Sequence, residues 1–393
     1  MRIGIDARTI LNPEKGDSIG IGHYTYQLIR HLLDIDRENE YVLFFDARVR
    51  EKDVKKFTRP NTQIRFYPFS DYRKYLPGLY NELLGSAILA KEKLDVLHVT
   101  SPVSKIPRRY KGKTVVTVHD LAFYKVPEAF PKNYNTKMKA LLNLAADKAD
   151  KIITVSESTK KDLEELLESS AEKIQVIYSG FDKRFFEAPE ISREKVFEKF
   201  GIPDGYILFL GTLEPIKNIT RLFEAFKTFK ETLAKNQNAS KFPDYKLVMA
   251  GKSGWLAKEY KQMAEDLGIG NNVIFTGYVA PEELVPLFKN AEFFVMPSLY
   301  EGFGTTVLEA FATETPAILS RVSSIPELAD MAAELVNPNY TKNISDAMVR
   351  FAKDQELKDL YRKRGKERAE KFDWEKCAEK TLEVYLHTYK QNK

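Results

Sequence analysis

A chain of 393 residues exceeds what one hydrophobic core usually supports, so two domains are expected, and a hydrophobic content of 43% is ample to pack them. The net charge of +5 suits a solvated surface, an anionic substrate or loose contact with acidic lipid, and is too weak to indicate nucleic acid. Cys377 has no second cysteine to pair with, which excludes an internal disulfide and points to a reducing cytoplasm.

The opening MRIGIDAR enters a strand at once, so no signal peptide is expected, and no apolar run approaches the ~20 residues that span a bilayer. Short apolar runs then alternate with amphipathic stretches, the pattern of βαβ units. In the first half the sequence predicts strands at 2–6, 41–45, 63–67, 96–99, 114–118, 151–155 and 175–177. Their Val, Ile and Phe without clean alternation indicate burial on both faces. Helices are predicted near 23–34, 77–92, 133–149 and 157–167, the last capped by Ser156. GFDKR (180–184) reads as a turn leaving the first domain.

The pattern then restarts. GIPDGYILFLG (201–211) reads as a turn, a strand and a glycine loop; further strands are predicted at 246–250, 273–276, 293–296, 316–320 and 334–336, with helices at 218–234, 256–267 and 281–288, from near 305, and near 325–330. From about 341 the chain reads as helical to its end. Two doubly wound domains follow, split near residue 183, with ligands expected at the carboxyl ends of the strands.

Several strand ends carry polar residues. FFVMPSLYEGFGTTVLEAFA (293–312) reads as a buried strand, a Pro-Ser turn, a loop of Glu301, Gly302, Phe303 and Gly304, and a helix from Thr305 carrying Glu309. Amides freed at such a helix start attract anions, whereas the two carboxylates repel phosphate and suit hydroxyl groups. An ordinary strand–helix connection with two solvated glutamates fits that stretch equally well. In LFLGTLEPIKN (208–218), Gly211 permits close approach, and Lys217 at a helix start opposes the dipole unless it serves an anion. Glu214 is ambiguous, because helix starts favour acids. TVVTVHDLAF (114–123) places His119 and Asp120 at a strand end, with no nucleophile elbow to make a hydrolase triad.

Other patterns weigh against familiar readings. SIGIGHYT (18–25) offers Gly20 and Gly22 to an anion, but a dinucleotide fingerprint needs a third glycine where Thr25 stands. VMAGKSGW (248–255) has Lys246 where a P-loop needs its first glycine. Asp34, Ile35 and Asp36 read as a solvated turn, and no cluster suggests a metal. The basic stretches 105–113 and 131–140 read first as solvated faces and second as contacts for anionic lipid or a phosphorylated acceptor.

Together GIGHY (20–24), VHDL (118–121), ITVSEST (153–159), GTLEPIKN (211–218), VMAGKSGW (248–255), FTGYV (275–279), PSLYEGFGTTVLEA (297–310) and SSIPEL (323–328) resemble, in order and nearly end to end, the retaining glycosyltransferases of family GT4. The resemblance implies the α/β GT-B fold: two facing Rossmann-like doubly wound domains with a cleft between them. It divides the chain into an acceptor-side domain at 1–183, a nucleotide-sugar domain at 184–372 and a terminal helix at 373–393 returning to the first domain.

By the same resemblance Glu301 would meet donor-sugar hydroxyls, Gly302, Phe303, Gly304 and Thr305 would surround sugar and diphosphate, and Glu309 would hold the ribose. Lys217, with Gly211 and Glu214 beside it, would bind the diphosphate, and Gly22 would approach the diphosphate or the acceptor from the first domain. His119 would lie beside the transferred sugar, and Tyr278 and Val279 would border the base. Thr212 stands where many relatives carry an arginine, so one phosphate partner is missing.

The implied activity is transfer of a hexose with retained configuration and no metal or other cofactor, domain closure excluding water. GTLEPIKN and SSIPEL are most similar to bacterial mannosyltransferases of surface-polysaccharide assembly. GDP-mannose is therefore the first expected donor, followed by UDP-glucose or UDP-N-acetylglucosamine, with a glycan or lipid-linked glycan as acceptor. The expected location is cytoplasmic, with peripheral contact at the inner face of the cell membrane. The alternatives are a sugar-nucleotide epimerase of the same fold and a non-catalytic sugar-nucleotide-binding protein.

Overall fold

The computed structural model describes residues 1–12, 20–67, 82, 85–104, 106–167, 171–187, 191–236, 242–252, 254 and 256–390. The chain forms two compact units. One comprises Met1–Tyr124, Lys132–Gly180 and Asp373–Lys393, and the other Phe181–Phe372 with Lys125–Pro131.

Among the described residues the first unit holds a seven-stranded sheet of β1 (Arg2–Asp6), β2 (Glu40–Asp46), β3 (Thr62–Tyr67), β4 (Val96–Val99), β5 (Lys113–Val118), β6 (Lys151–Thr154) and β7 (Ile174–Val176), in the order 3-2-1-4-5-6-7. Every pairing is parallel, with Ile5 opposite Leu43 on one side and His98 on the other. After the first residue of β2 and of β5, all their residues are buried, as strands covered on both faces require.

The Gly20–Ile35 helix buries Thr25, Leu28, Ile29, Leu32 and Leu33, one stripe at helical spacing. The Glu157–Leu166 helix is capped by Ser156, whose Oγ accepts from the Thr159 amide at 3.0 Å. Of the helix predicted near 77–92, Ser86–Lys91 is described and residues 77–81, 83 and 84 lie outside the described residues.

One sequence reading is corrected at the end of the first helix. Asp36 is buried rather than solvated, and its carboxylate accepts from Tyr41 Oη (2.7 Å), Asn39 Nδ2 (2.8 Å) and the Glu38 amide (3.0 Å). Burial alone would raise its pKa, but these hydrogen bonds win and hold it below the ordinary value. The carboxylate thus organises the turn into β2.

The helix Trp374–Lys390 belongs to the first unit and packs on the Gly20–Ile35 helix and on β5. It buries Trp374, Cys377, Ala378, Thr381, Val384, Tyr385 and Thr388, a stripe with i, i+3, i+4 spacing. Its polar anchor is a fully buried triad: His98 Nδ1 lies 2.6 Å from Tyr385 Oη, and His98 Nε2 lies 2.8 Å from Thr117 Oγ1. Burial, with a smaller push from His119, drives the His98 pKa down to about 3, so the ring is neutral. Where the chain leaves and re-enters this unit the two segments touch: a Cβ on Gly180 would lie 2.3 Å from Trp374 N.

The second unit holds β8 (Tyr206–Leu210), β9 (Lys246–Ala250), β10 (Val273–Gly277), β11 (Phe293–Met296), β12 (Ala317–Ser320) and β13 (Glu334–Val336), in the order 10-9-8-11-12-13 and again all parallel. Phe209, Phe223, Phe226, Phe229, Phe293 and Phe351 form the aromatic part of its core, each essentially inaccessible to solvent.

Tyr385→Phe removes one partner of buried His98 and is expected to cost about 1–3 kcal/mol. Thermal unfolding should show a lower Tm, and an unchanged Tm would mean that the contact contributes no stability.

Candidate active site

In both sheets the strand order reverses once, between β1 and β4 and between β8 and β11, and the crevice outside the strand ends at such a point is where open α/β sheets bind ligands. In the second unit three loops meet there. Gly211 N donates to Ala250 O (2.9 Å), Leu213 N to Lys252 O (3.1 Å) and Gly251 N to Gly277 O (2.9 Å). A Cβ on Gly251, which has φ +134°, would lie 2.1 Å from Gly211 O. The glycine at 251 therefore serves contact between loops. Ser253 and Trp255 of the same stretch lie outside the described residues.

Lys217 ends the short turn Pro215–Lys217 instead of opening the helix, which begins at Ile219. Asn218, buried and left-handed at φ +59°, donates through Nδ2 to Pro297 O (3.0 Å) and Pro338 O (2.8 Å). Leu299 N donates to Ile216 O at 2.8 Å. These bonds tie the loop after β8 to the loop after β11. They bring Lys217 Nζ within 2.6 Å of Glu301 Oε1, both side chains largely buried.

The Glu301–Gly304 loop is held from behind by two serines. Glu301 N donates to Ser323 Oγ (2.8 Å), while Ser324 Oγ lies 2.9 Å from Glu301 O and 3.0 Å from Phe303 O. Phe303 is buried, its ring edge-on to Phe372. Gly304, at φ +95°, caps the Thr305–Ala312 helix, and a Cβ there would meet Ile325 Cδ1 at 2.9 Å. Only glycine suits both the conformation and the space. The Val307 amide donates to Gly304 O at 2.9 Å, while the Thr305 and Thr306 amides, at the first two helical positions, have no preceding helical carbonyl to bond and can meet an anion.

Glu309 lies one turn further on. Its side chain keeps part of its surface exposed but has no hydrogen-bond or ion-pair partner among the described residues. Burial raises its pKa to about 7; Arg184 opposes this and Asp182 adds to it. Tyr278 is 49% exposed with Lys252 Nζ 5.6 Å from its ring centre, and neighbouring Val279 is buried. Glu214 precedes the Pro215–Lys217 turn without a side-chain cap, and Thr212 is half-buried nearby in sequence.

In the first unit Gly22 lies in the first turn of the Gly20–Ile35 helix, so the predicted glycine loop is helical from Gly20, and Ser18 and Ile19 lie outside the described residues. His119 follows β5. Its Nε2 donates to Thr100 O at 2.8 Å, which leaves the lone pair on Nδ1. Burial lowers its pKa to about 4, and the Tyr24 ring stands edge-on to it at 4.6 Å. His119 is therefore neutral at pH 7 and can accept a hydrogen bond through Nδ1. The Asp120 carboxylate accepts from the Ala122 amide at 3.1 Å.

Sequence reasoning missed several supports. The hydroxyls of Thr9, Thr25 and Thr100 lie in series at 2.8 and 2.9 Å, ending on Asp6 O at 3.1 Å. Thr25, Asn218, Ser323 and Ser324 all lay inside recognisable motifs, but their partners are distant in the chain. Among the described residues no group of three or more His, Cys, Asp or Glu side chains is placed to hold a metal ion.

Residues 192–368 match the family model described as glycosyl transferases group 1, and residues 19–185 match that of glycosyltransferase family 4. The O-antigen chain mannosyltransferase B of Escherichia coli is 27% identical over 380 residues, covering 95% of this chain and 97% of its own. Among solved structures, sucrose-phosphate synthase from Thermosynechococcus elongatus has a TM-score of 0.77 at 18% identity over the whole of both chains. HepE of Anabaena, in complex with UDP and glucose, has a TM-score of 0.73 at 17% identity over 98% of both chains. These structures share the architecture of two parallel sheets with flanking helices.

Glu309 has no side-chain partner among the described residues, and its ionisation affects stability. Its folded pKa, about 7, lies above that of an unfolded glutamate, so stability is lost as pH rises through that interval. Glu309→Gln should raise Tm relative to the parent at pH 8 and match it near pH 4.5. A lower Tm at pH 8 would show that the carboxylate is stabilised in the fold.

Proposed function

Because the chain belongs to the group 1 glycosyltransferases of family 4 and has their GT-B fold, we propose that it transfers mannose from GDP-mannose to a hydroxyl of a glycan or lipid-linked glycan, with retained configuration and without a metal. The observation that carries this reading is the Lys217–Glu301 pair beside the helix start at Gly304, with Glu309 one turn along. The mannosyltransferase named among the relatives supports the choice of donor sugar.

The ion pair gives each side chain a use. A diphosphate carries more negative charge than Glu301 and competes for the Lys217 ammonium. Once released, the Glu301 carboxylate is an acceptor for sugar hydroxyls, and the amides following Gly304 face the phosphates. Glu309, when ionised, accepts from both ribose hydroxyls. Neutral His119 offers Nδ1 to a hydroxyl of the transferred sugar. Tyr278 and Val279 border the base, with Gly22, Gly211, Glu214, Gly302, Phe303 and Thr305 lining the donor.

In the proposed step the acceptor oxygen attacks C1 on the face that the diphosphate leaves. The C1–O bond to phosphate breaks, and a departing phosphate oxygen takes the acceptor's proton. Lys217 and the helix-start amides stabilise the charge on the leaving group without reorganising, the role of preorganised electrostatics. With Thr212 where relatives carry arginine, Lys217 bears more of that task.

A lipid-linked acceptor fits the exposed cations Arg108, Arg109, Lys111, Lys132 and Lys137 with Tyr134 among them, while Lys105 lies outside the described residues. No described helix is long and apolar enough to cross a membrane.

Lys217→Ala should lower transfer from GDP-mannose by about 10²–10³-fold, and near-normal turnover would remove Lys217 from the site. NMR of the product should show a retained anomeric configuration, with activity unaffected by EDTA; an inverted linkage or loss of activity would contradict the mechanism. A sugar released epimerised without acceptor would identify an epimerase instead. Flotation with anionic liposomes should carry the protein upward, and no flotation would contradict membrane contact.

A further inference from the structure

Ser323 stands in the turn between β12 and the Ile325–Ala329 helix, with a backbone φ of +48°. Ile325 N donates to Val322 O at 3.2 Å and closes the turn, of which Ser323 is the first central residue. Such a φ is natural for glycine and disfavoured for a residue with a Cβ. Among the described residues Lys93, Glu314, Asp330 and Met331 share the left-handed region, but each follows the last turn of an α-helix, where it commonly ends the helix. Asn218 and Ser323 follow no α-helix. Both bond the segment after β11, Asn218 at Pro297 O and Ser323 at the Glu301 amide.

Three contacts place Glu301. Its amide donates to Ser323 Oγ at 2.8 Å, its carbonyl lies 2.9 Å from Ser324 Oγ, and its carboxylate lies 2.6 Å from Lys217 Nζ. Ser324 is fully buried and also bonds Phe303 O, so it holds the loop as a whole. Ser323 is half-buried, and among the described residues its hydroxyl bonds Glu301 alone.

Left-handed backbone costs a non-glycine residue about as much as one neutral hydrogen bond returns. A serine at 323 therefore gives the fold little that glycine would not, and strain kept at a binding loop points to use there. In the proposed reaction the diphosphate takes over Lys217, so the Glu301 carboxylate loses that anchor as the sugar arrives. The backbone contacts are then what aims it.

We propose that Ser323 is the positioning residue of Glu301: by holding the amide of that residue it aims the carboxylate at the hydroxyls of the transferred sugar. This role rests on the reading of Glu301 as the carboxylate that meets those hydroxyls. It gives the turn after β12 a part in recognising the sugar and none in binding the nucleotide.

The test is calorimetric binding to the full chain at pH 7, with GDP-mannose against GDP and UDP-glucose against UDP. The pair with the tighter sugar nucleotide is followed through Ser323→Gly, Ser323→Ala and Glu301→Gln. The ratio of the two affinities in that pair reports the sugar's contribution. Ser323→Gly removes the hydroxyl and relieves the backbone, and the ratio should fall about fivefold, the worth of about one neutral hydrogen bond. Ser323→Ala removes the hydroxyl but keeps the strain, so a like fall in both variants traces the effect to the hydroxyl. Affinity for the nucleoside diphosphate alone should stay at the parent's value in both, and Glu301→Gln should lower the ratio too.

A ratio unchanged in either serine variant, including one in which both ligands weaken equally, would overturn the role of Ser323. If Glu301→Gln keeps the parent's ratio, the sugar assignment of Glu301 itself fails, whatever the serine variants do. No binding of any of the four ligands by the parent would overturn both.

Discussion

The placement of β8 beside β11 in a parallel sheet constrains everything that follows in the second unit. Parallel neighbours send their carboxyl ends the same way, so the Gly211–Lys217 and Pro297–Gly304 segments emerge together although about eighty residues separate them. Asn218 then makes the adjacency specific by bonding the carbonyls of Pro297 and Pro338. Lys217 and Glu301 meet because of this clamp, and the serines at 323 and 324 keep the glutamate's loop from moving away. A cation, two carboxylates and the start of a helix are thereby presented on one crest.

The two glutamates of that crest are handled differently. Glu301 is neutralised by Lys217, so that a cation and an anion stand in compensated form. Glu309 has no such partner among the described residues and resists ionisation, with Arg184 as the counterweight. An unsatisfied carboxylate is a poor choice for stability and a sensible one for a group whose hydrogen-bond partners arrive with the ligand. His119 follows the opposite logic: the Thr100 carbonyl and burial fix one neutral tautomer in advance.

Much of this is legible in the sequence, for local reasons. Strands at 2–6, 96–99, 246–250, 293–296 and 334–336 can be placed to the residue because each is a short apolar run between turn residues. The helix cap at Ser156 and the helix start at Thr305 are equally local. Arg193–Phe200 is harder to see, since its polar surface leaves Val196 as its one buried residue before Gly201 ends it. Asp36 misleads because a charged triplet normally lies in solvent, whereas Tyr41 follows only five residues later to bury it. Sheet order and the serine supports depend on contacts between distant segments. Composition and spacing carry no record of those.

The central claim is that this crest is built for a nucleoside diphosphate sugar, and thermal shift against a panel of nucleotide sugars tests it most directly. A ligand at a hundred times its dissociation constant adds about 2.7 kcal/mol to stability, enough to move Tm by several degrees. GDP-mannose should give the largest rise, ahead of UDP-glucose and UDP-N-acetylglucosamine. A panel in which no nucleotide sugar raises Tm would contradict the account.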